Sequence, residues 1–379
     1  MKILITGSKG FIGKNLITEL CNQGYTDLLE YDIDSDSYLL DKFAKECEFV
    51  FHLAGVNRPE KQEDFMAGNF GFTSVLTENL KKYNNKAPIL ITSSTQAILD
   101  NPYGQSKKAA EELLFQYGKE NDVKVFIYRL TNTFGKWCRP NYNSVVATFC
   151  HHISHELPIT VHDPDVVMNL LYIDDVVSTF IGNLQAIEQC PTPVNDELRD
   201  IIHFERVTPV HTIKLGEIAE LLYQFKESRC NLKVPDLNNT FIKKLFSTYL
   251  SYLPKDKFSY PLKMNIDSRG SFTEFIKSTD SWQVSVNISK PCITKGNHWH
   301  HTKNEKFLVV SGKGVIRFRN VYSEEVSEYY VSGDKLEVVD IPVGYTHNIE
   351  NLGNTDMVTI MWVNEVFDKD KPDTFYLEV

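Results

Sequence analysis

Short apolar runs alternate with amphipathic stretches from residue 2 to about residue 185. Ile3-Leu4-Ile5, Leu28-Leu29, Phe49-Val50-Phe51, Ile89-Leu90-Ile91 and Val125-Phe126-Ile127 read as buried strands. The segments near Phe11 to Cys21, Gly71 to Tyr83 and Gln105 to Tyr117 read as helices. Strands that alternate with helices imply a parallel sheet covered on both faces. The pattern changes after about residue 186, where Pro191, Pro193, Pro209 and Pro235 interrupt it. Helices are expected near Leu215 to Lys226 and Asn239 to Tyr252, finishing the first domain and carrying part of a substrate pocket. After Pro254 the texture turns β-rich. Val309 to Gly312, Val315 to Phe318 and Val358 to Trp362 are strand-like, with glycine and Asn/Asp turns between them. Many short strands with such punctuation suggest a sandwich or barrel. The expected fold class is α/β: a doubly wound parallel sheet over residues 1–253, then an all-β domain over residues 254–379.

Composition narrows the function classes. The 379 residues suggest two domains, at roughly 150 residues each. A formal net charge of -10 argues against nucleic acid as a partner, since a duplex binder needs a basic footprint. It leaves room for a nucleotide ligand, which a few local donors can hold. Cys21, Cys47, Cys138, Cys150, Cys190, Cys230 and Cys292 are scattered and odd in number, which reads as free thiols in a reducing compartment. No run approaches the ~18 apolar residues of a membrane span, and no signal-peptide pattern opens the chain. A cytoplasmic protein without membrane insertion is expected.

Thr6-Gly7-Ser8-Lys9-Gly10-Phe11-Ile12-Gly13 follows the first strand and opens the first helix. Glycines there let backbone amides approach a pyrophosphate at the positive end of the helix. Asp32 ends the second strand, about 19 residues past the last glycine. A carboxylate at that place accepts from a ribose 2′-OH and repels a 2′-phosphate, which favours NAD.

Ser94 falls at the C-terminal edge of the fourth strand, where ligands bind in doubly wound sheets. Tyr103 and Lys107 are four apart on one helix and share a face. A cationic lysine beside a tyrosine lowers the phenol pKa. The tyrosine can then protonate a carbonyl oxygen that Ser94 holds while hydride arrives at carbon. At these residues the chain resembles the extended short-chain dehydrogenase/reductases, with their Rossmann-like sheet. Gly7, Gly10 and Gly13, then His52-Leu53-Ala54-Gly55, Asn69, Ser94/Tyr103/Lys107, Arg129-x-x-Asn132-x-x-Gly135 and Tyr172-Ile173-Asp174-Asp175 carry the likeness over residues 1 to roughly 250. It implies a nicotinamide cofactor framed by Gly7, Gly10, Phe11, Ile12, Gly13, Asp32, Leu53, Ala54, Gly55, Asn69, Tyr103 and Lys107, and a nucleotide-linked sugar as substrate.

The β-rich part holds a second set. His298-x-His300-x-x-x-x-Glu305 is followed by Pro342-x-Gly344-x-x-His347. Two histidines at alternate strand positions point to one side. With a carboxylate and a later histidine they make a three-nitrogen, one-oxygen set suited to zinc, iron, manganese or nickel. These motifs resemble the cupins, jelly-roll proteins, although the glycine expected just before His298 is displaced to Gly296. Asp267 to Glu274, Gln283 to Ser289 and Lys295 to His298 are similar to blocks of deoxysugar 3,5-epimerases. In that family the matching histidine is a general base, and a metal is usually absent. His298 cannot be a free base while it ligates a metal, so either the metal is structural and another group takes the proton, with His301, Tyr345 and Glu274 as spare candidates, or the site is metal-free.

A 4-keto sugar explains why both sets share one chain. The ketone acidifies the neighbouring C–H, a base inverts that centre, and reduction then locks the result. The whole chain resembles bifunctional epimerase/reductases of capsular polysaccharide synthesis, including Asn101 to Gly104 and Lys136 to Asn143. The resemblance implies a UDP-linked 2-acetamido-2,6-dideoxy-hexos-4-ulose, a 4-keto-6-deoxy-HexNAc, epimerised at C3 and reduced at C4. It implies NADPH, Zn2+ and a homodimer; Asp32, Asp34 and Asp36 speak for NADH instead. Arg58, Asn132, Trp137, Arg139 and Asn143 are the expected contacts to the UDP-sugar. Three other readings stay open: a reductase with a structural cupin, an iron dioxygenase, and a redox sensor without turnover.

Overall fold

The computed structural model describes residues 1–189 and 202–379. Cys190, Pro191 and Pro193 lie outside the described residues; the six described cysteines are free thiols. The first part alternates strands with helices: β1 (Ile3–Thr6), α1 (Phe11–Asn22), β2 (Leu28–Tyr31), α2 (Ser37–Glu46), β3 (Phe49–His52), two helices in succession, α3 (Glu63–Met66) and α4 (Phe72–Lys82), then β4 (Ile89–Ser94), α5 (Pro102–Asn121) and β5 (Val125–Leu130). Then come β6 (Asn132–Phe134), α6 (Val145–Ser154), β7 (Val167–Tyr172), α7 (Ile173–Gln189), β8 (Ile202–Glu205), β9 (His211–Lys214), α8 (Leu215–Asn231) and α9 (Thr240–Leu250).

The main sheet has the order β2-β1-β3-β4-β5-β8 and every pairing is parallel. The apolar runs are continuous because alternate residues serve opposite faces. Ile3, Ile5, Phe49 and Phe51 pack with Leu16 and Leu20 of α1 and Phe180 and Ile181 of α7. Leu4, Val50, Ile89 and Ile91 pack on the other side with Leu40 of α2, Leu76 and Leu80 of α4 and Leu114 of α5. Each such fully buried side chain contributes about 1.5–3 kcal/mol. The strand order reverses between β1 and β3, so a crevice opens there at the C-terminal strand ends. A small sheet, β6-β7-β9, adds strands that the apolar pattern did not signal, and α2 and α6 were equally unannounced as helices, whereas Tyr172 to Asp175 is the strand-to-helix turn from β7 into α7 that the family resemblance implies.

The β-rich part contains β10 (Met264–Asp267), β11 (Gly270–Lys277), β12 (Gln283–Ser289), β13 (Thr294–Trp299), β14 (Glu305–Ser311) and β15 (Lys313–Asn320). It continues with β16 (Val326–Ser332), β17 (Val338–Ile341), β18 (Tyr345–Asn351), β19 (Met357–Val363) and β20 (Phe375–Tyr376). They form two antiparallel sheets, β10-β11-β12-β19-β14-β17 and β16-β15-β18-β13-β20. Phe307, Val309, Ile341 and Met357 of the first sheet pack against Ile316, Phe318, Val331 and Ile349 of the second. The fold class is thus α/β with a Rossmann-like parallel sheet, followed by an all-β jelly roll of cupin type. By contacts the chain divides into residues 1–222 with 244–253, and residues 223–243 with 254–379.

Candidate functional site

The turn between β1 and α1 depends on glycine. Gly7 has φ +70, and a Cβ on it would lie 2.7 Å from the Ala54 backbone nitrogen. A Cβ on Gly13 would meet the Gly7 carbonyl oxygen at 2.3 Å. The loops after β1 and β3 therefore close on each other only without side chains. Gly10 caps α1 with no side-chain hydrogen bond, which leaves first-turn amides for an anion. Phe11 and Ile12 pack against the core with partly buried side chains. Leu53, Ala54 and Gly55 follow β3 directly. Asp32 accepts the Lys9 N–H at 2.7 Å and the Ile33 N–H at 2.8 Å, tying the glycine turn to the end of β2. A carboxylate has about four acceptor positions, so capacity remains for a ribose hydroxyl.

Ser94 closes β4, and α5 starts eight residues later. Asn101 Oδ1 accepts the Gly104 N–H at 2.8 Å, and Pro102 occupies the first turn. This cap sets Tyr103 and, one turn on, Lys107. The Lys107 side chain is buried; its Nζ donates to the Thr92 carbonyl at 3.2 Å and stands 5.9 Å from the Tyr103 ring centroid. A Cβ on Gly55 would come within 2.8 Å of both Lys107 Nζ and Asn69 Oδ1. Asn69 lies in a π-turn, accepts the Val56 N–H at 3.0 Å, and donates to the Val56 carbonyl at 3.1 Å and Ser106 Oγ at 3.0 Å. Burial brings the Lys107 ammonium down to about 8. Burial also raises the Tyr103 phenol, opposed by a hydrogen bond with Ser94. The expected lowering of Tyr103 by Lys107 is therefore not found: burial is the largest influence, and the lowering that opposes it comes from Ser94.

One support, Glu111, escaped the sequence reading, and one motif residue, His52, gains a structural role. Glu111, one turn past Lys107, is buried and accepts from the Ser93 hydroxyl and from Arg129 Nε at 2.9 Å and Nη2 at 2.5 Å. Its spacing from Lys107 was the available signal. His52 sits between Thr6 Oγ1 at 2.8 Å and Thr73 Oγ1 at 2.9 Å, and burial, then Lys107, pushes it down to about 3. It is a neutral structural bridge. Asn132 opens β6; Trp137 (φ +67, half exposed), Arg139 (5.2 Å from the Tyr142 ring centroid) and Asn143 lie on the stretch that leads to α6. Arg58 lies apart from them in sequence, exposed in the loop after β3.

In the second unit, His298 lies on β13 directly opposite His347 of β18; His300 follows β13, and Glu305 opens β14. One ligand atom from each lies within 4.8 Å of all the others. Glu305 Oε2 is 3.2 Å from His347 Nε2 and 3.7 Å from His300 Nε2. Among the described residues these three buried atoms have no hydrogen-bond partner of acceptable geometry. Orphaned buried polar atoms are costly, and a shared cation relieves them. Burial, then His347, brings His298 down to about 4, which keeps its ring neutral and able to ligate. Burial works to raise Glu305, but the adjacent His300 and His347 rings hold it well below the usual carboxylate range. The residues thus fit a divalent metal of the zinc, iron, manganese or nickel kind. The displaced Gly296 has φ +110 at a β-bulge, and a Cβ there would lie 2.7 Å from the His347 carbonyl.

A cavity of about 830 Å³ opens onto this cluster. The three epimerase-like sequence blocks all reach it, through Asp267, Arg269, Glu274, Asn287 and Lys295. His301 and Tyr345 are not on its wall. Glu274 is, and it also pairs with Lys277 at 3.2 Å.

Two family models match the chain: the NAD dependent epimerase/dehydratase family over residues 3–195, and the polysaccharide biosynthesis C-terminal domain over residues 265–375. A UDP-2-acetamido-2,6-beta-L-arabino-hexul-4-ose reductase of Pseudomonas aeruginosa is 43% identical over 100% of this chain and 99% of its own. The crystal structure of the capsular polysaccharide assembling protein CapF of Staphylococcus aureus is 56% identical, with TM-score 0.91 over 100% of both chains. A UDP-glucose 4-epimerase of Thermotoga maritima is 20% identical with TM-score 0.53 over 66% of this chain and 98% of its own, a likeness of fold alone. With its glycine turn, its Ser94/Tyr103/Lys107 edge and these matches, the chain belongs to the NAD dependent epimerase/dehydratase family and joins to it a polysaccharide biosynthesis C-terminal domain.

Proposed function

We propose that this chain is a two-step nucleotide-sugar enzyme acting on UDP-2-acetamido-2,6-dideoxy-hexos-4-ulose. Residues 254–379 invert C3, and residues 1–253 then reduce the C4 ketone. The product is UDP-2-acetamido-2,6-dideoxy-L-talose, on the route to UDP-N-acetyl-L-fucosamine. One observation carries the reading. A proton-transfer set at a nucleotide-binding strand edge coexists with a metal-type cluster in a cavity sized for a nucleotide sugar. The full-length likeness to a reductase of a UDP-linked hexul-4-ose supports the substrate class.

In the cavity a base removes the acidic C3 proton, and an acid returns one to the opposite face. Arg269 and Lys295 supply positive charge for the diphosphate. His298, His300, Glu305 and His347 would hold zinc, which when bound would supply Lewis acidity and link three strands. In the reductase, the nicotinamide supplies the hydride. Ser94 and Tyr103 hold the C4 oxygen, Tyr103 gives it a proton, and Lys107 keeps positive charge beside that exchange. Gly7, Gly10, the amides of residues 11 and 12, Gly13, Asp32, Leu53, Ala54, Gly55 and Asn69 frame the cofactor. Arg58, Asn132, Trp137, Arg139 and Asn143 meet the UDP-sugar. NADPH is the proposed reductant, with NADH its competitor because Asp32 would repel a 2′-phosphate. The working form is proposed to be a cytoplasmic homodimer.

The ligand position of His298 favours a second reading: a single-activity 4-keto reductase whose β unit is a zinc-stabilised module. A Tyr103→Phe variant incubated with the keto sugar in deuterium oxide, without reduced cofactor, separates the two by proton NMR. Two steps require loss of the C3 proton signal. A persistent signal, with wild-type reduction intact, leaves the second reading.

A further inference from the structure

The turn carrying His300 is held from a point 73 residues away. The Asp373 backbone carbonyl accepts the Nδ1–H of His300. The Asp373 carboxylate accepts the backbone N–H of His301 at 3.0 Å, of Thr302 at 2.7 Å and of Lys303 at 3.0 Å, and the Thr302 hydroxyl at 3.1 Å. One residue thus receives hydrogen bonds from four consecutive residues. A neutral imidazole that donates from Nδ1 carries its lone pair on Nε2. His300 Nε2 is the atom that approaches Glu305 at 3.7 Å within the cluster.

The segment around Asp373 is itself anchored on both sides. The Phe367 N–H donates to Gln283 Oε1 at 3.0 Å, and the Leu377 N–H donates to the Asn297 carbonyl at 3.1 Å. Phe375 pairs with Trp299 on β13, ring centroids 5.2 Å apart, and lies 4.9 Å from the His301 ring. Thr374 lines the cavity.

We infer that Asp373 is a positioning residue of the metal centre: its carboxylate holds the 301–303 turn so that its backbone carbonyl meets His300 Nδ1 and fixes the tautomer and aim of that ring, and residues 364–378 form a strap that slows metal release. The inference rests on the reading of His298, His300, Glu305 and His347 as metal ligands. Partners that orient a ligating histidine are worth about 10- to 100-fold in metal affinity.

The test loads full-length wild type, Asp373→Asn and Asp373→Ala with Zn2+ and times its transfer to a chromogenic chelator in excess. Thermal melting of the metal-free proteins is recorded in parallel. Asp373→Asn keeps the size of the side chain and puts an NH2 among N–H donors, so it serves if the alanine variant does not fold. Release about 10- to 100-fold faster than wild type supports the inference. Release at the wild-type rate, even with lowered melting, overturns it and leaves Asp373 a structural residue only. A wild-type protein that holds no zinc removes the metal-centre reading, and the inference with it.

Discussion

At the scale of single residues, the reductase edge makes two predictions. Tyr103→Phe deletes the proton donor and leaves the ring, so kcat for ketone reduction should fall about 10²- to 10⁴-fold while cofactor affinity, read by fluorescence titration, changes little. Lys107 sets the second. Its charged form prevails below about 8 in the folded protein, against 10.5 for a free lysine. Activity that needs the cation should therefore decline as pH rises through about 8, and Lys107→Arg, which stays charged, should lack that limb in a pH profile of kcat/KM. The stability consequence has the opposite direction. Between 8 and 10.5 the unfolded chain binds more protons, so stability should rise with pH across that window and be flat below it.

At the scale of elements, α5 is fixed to β4 and β5 through one carboxylate. Glu111 joins Ser93 and Arg129 with little exposure to water. Glu111→Ala strands the Arg129 guanidinium and should cost about 3 kcal/mol in urea unfolding. A loss under 1 kcal/mol would show that water replaces the carboxylate freely. This brace was half legible. The four-residue step from Lys107 is in the sequence, but Arg129 reaches Glu111 only because β5 lies beside β4. The strand elements were more legible than the helices. Ile3-Leu4-Ile5 serves two faces at once and so reads as an unbroken apolar run. By contrast α2 fully buries only Leu40 and Ala44, too narrow a stripe to stand out.

At the scale of the whole molecule, each unit has its own core and its own candidate site. A keto intermediate released by one site should then be usable by the other on a different molecule. Mixing Tyr103→Phe with His347→Ala in the presence of reduced cofactor should restore product formation that neither variant gives alone. Silence in the mixture would mean that the intermediate is not exchanged between chains. Chelator treatment should lower the melting temperature of wild type and leave that of His347→Ala nearly unchanged.

The sequence by itself determined the local signals. The glycines at 7, 10 and 13, the Tyr103 to Lys107 step, and the histidine spacing around 298 and 347 each depend on neighbours along one strand, turn or helix. Backbone geometry converts such spacing directly into direction. Tertiary structure decided everything that required distant residues to meet in a low-dielectric interior. Burial, which no single position reveals, raised Tyr103 where the neighbouring lysine had been expected to lower it. The β-bulge at Gly296 became intelligible only once His347 lay against it. Asp373 carries no motif at all. It holds His300 because β20 returns to pair with β13, a contact set by sheet closure across 73 residues and by nothing in the residues nearby.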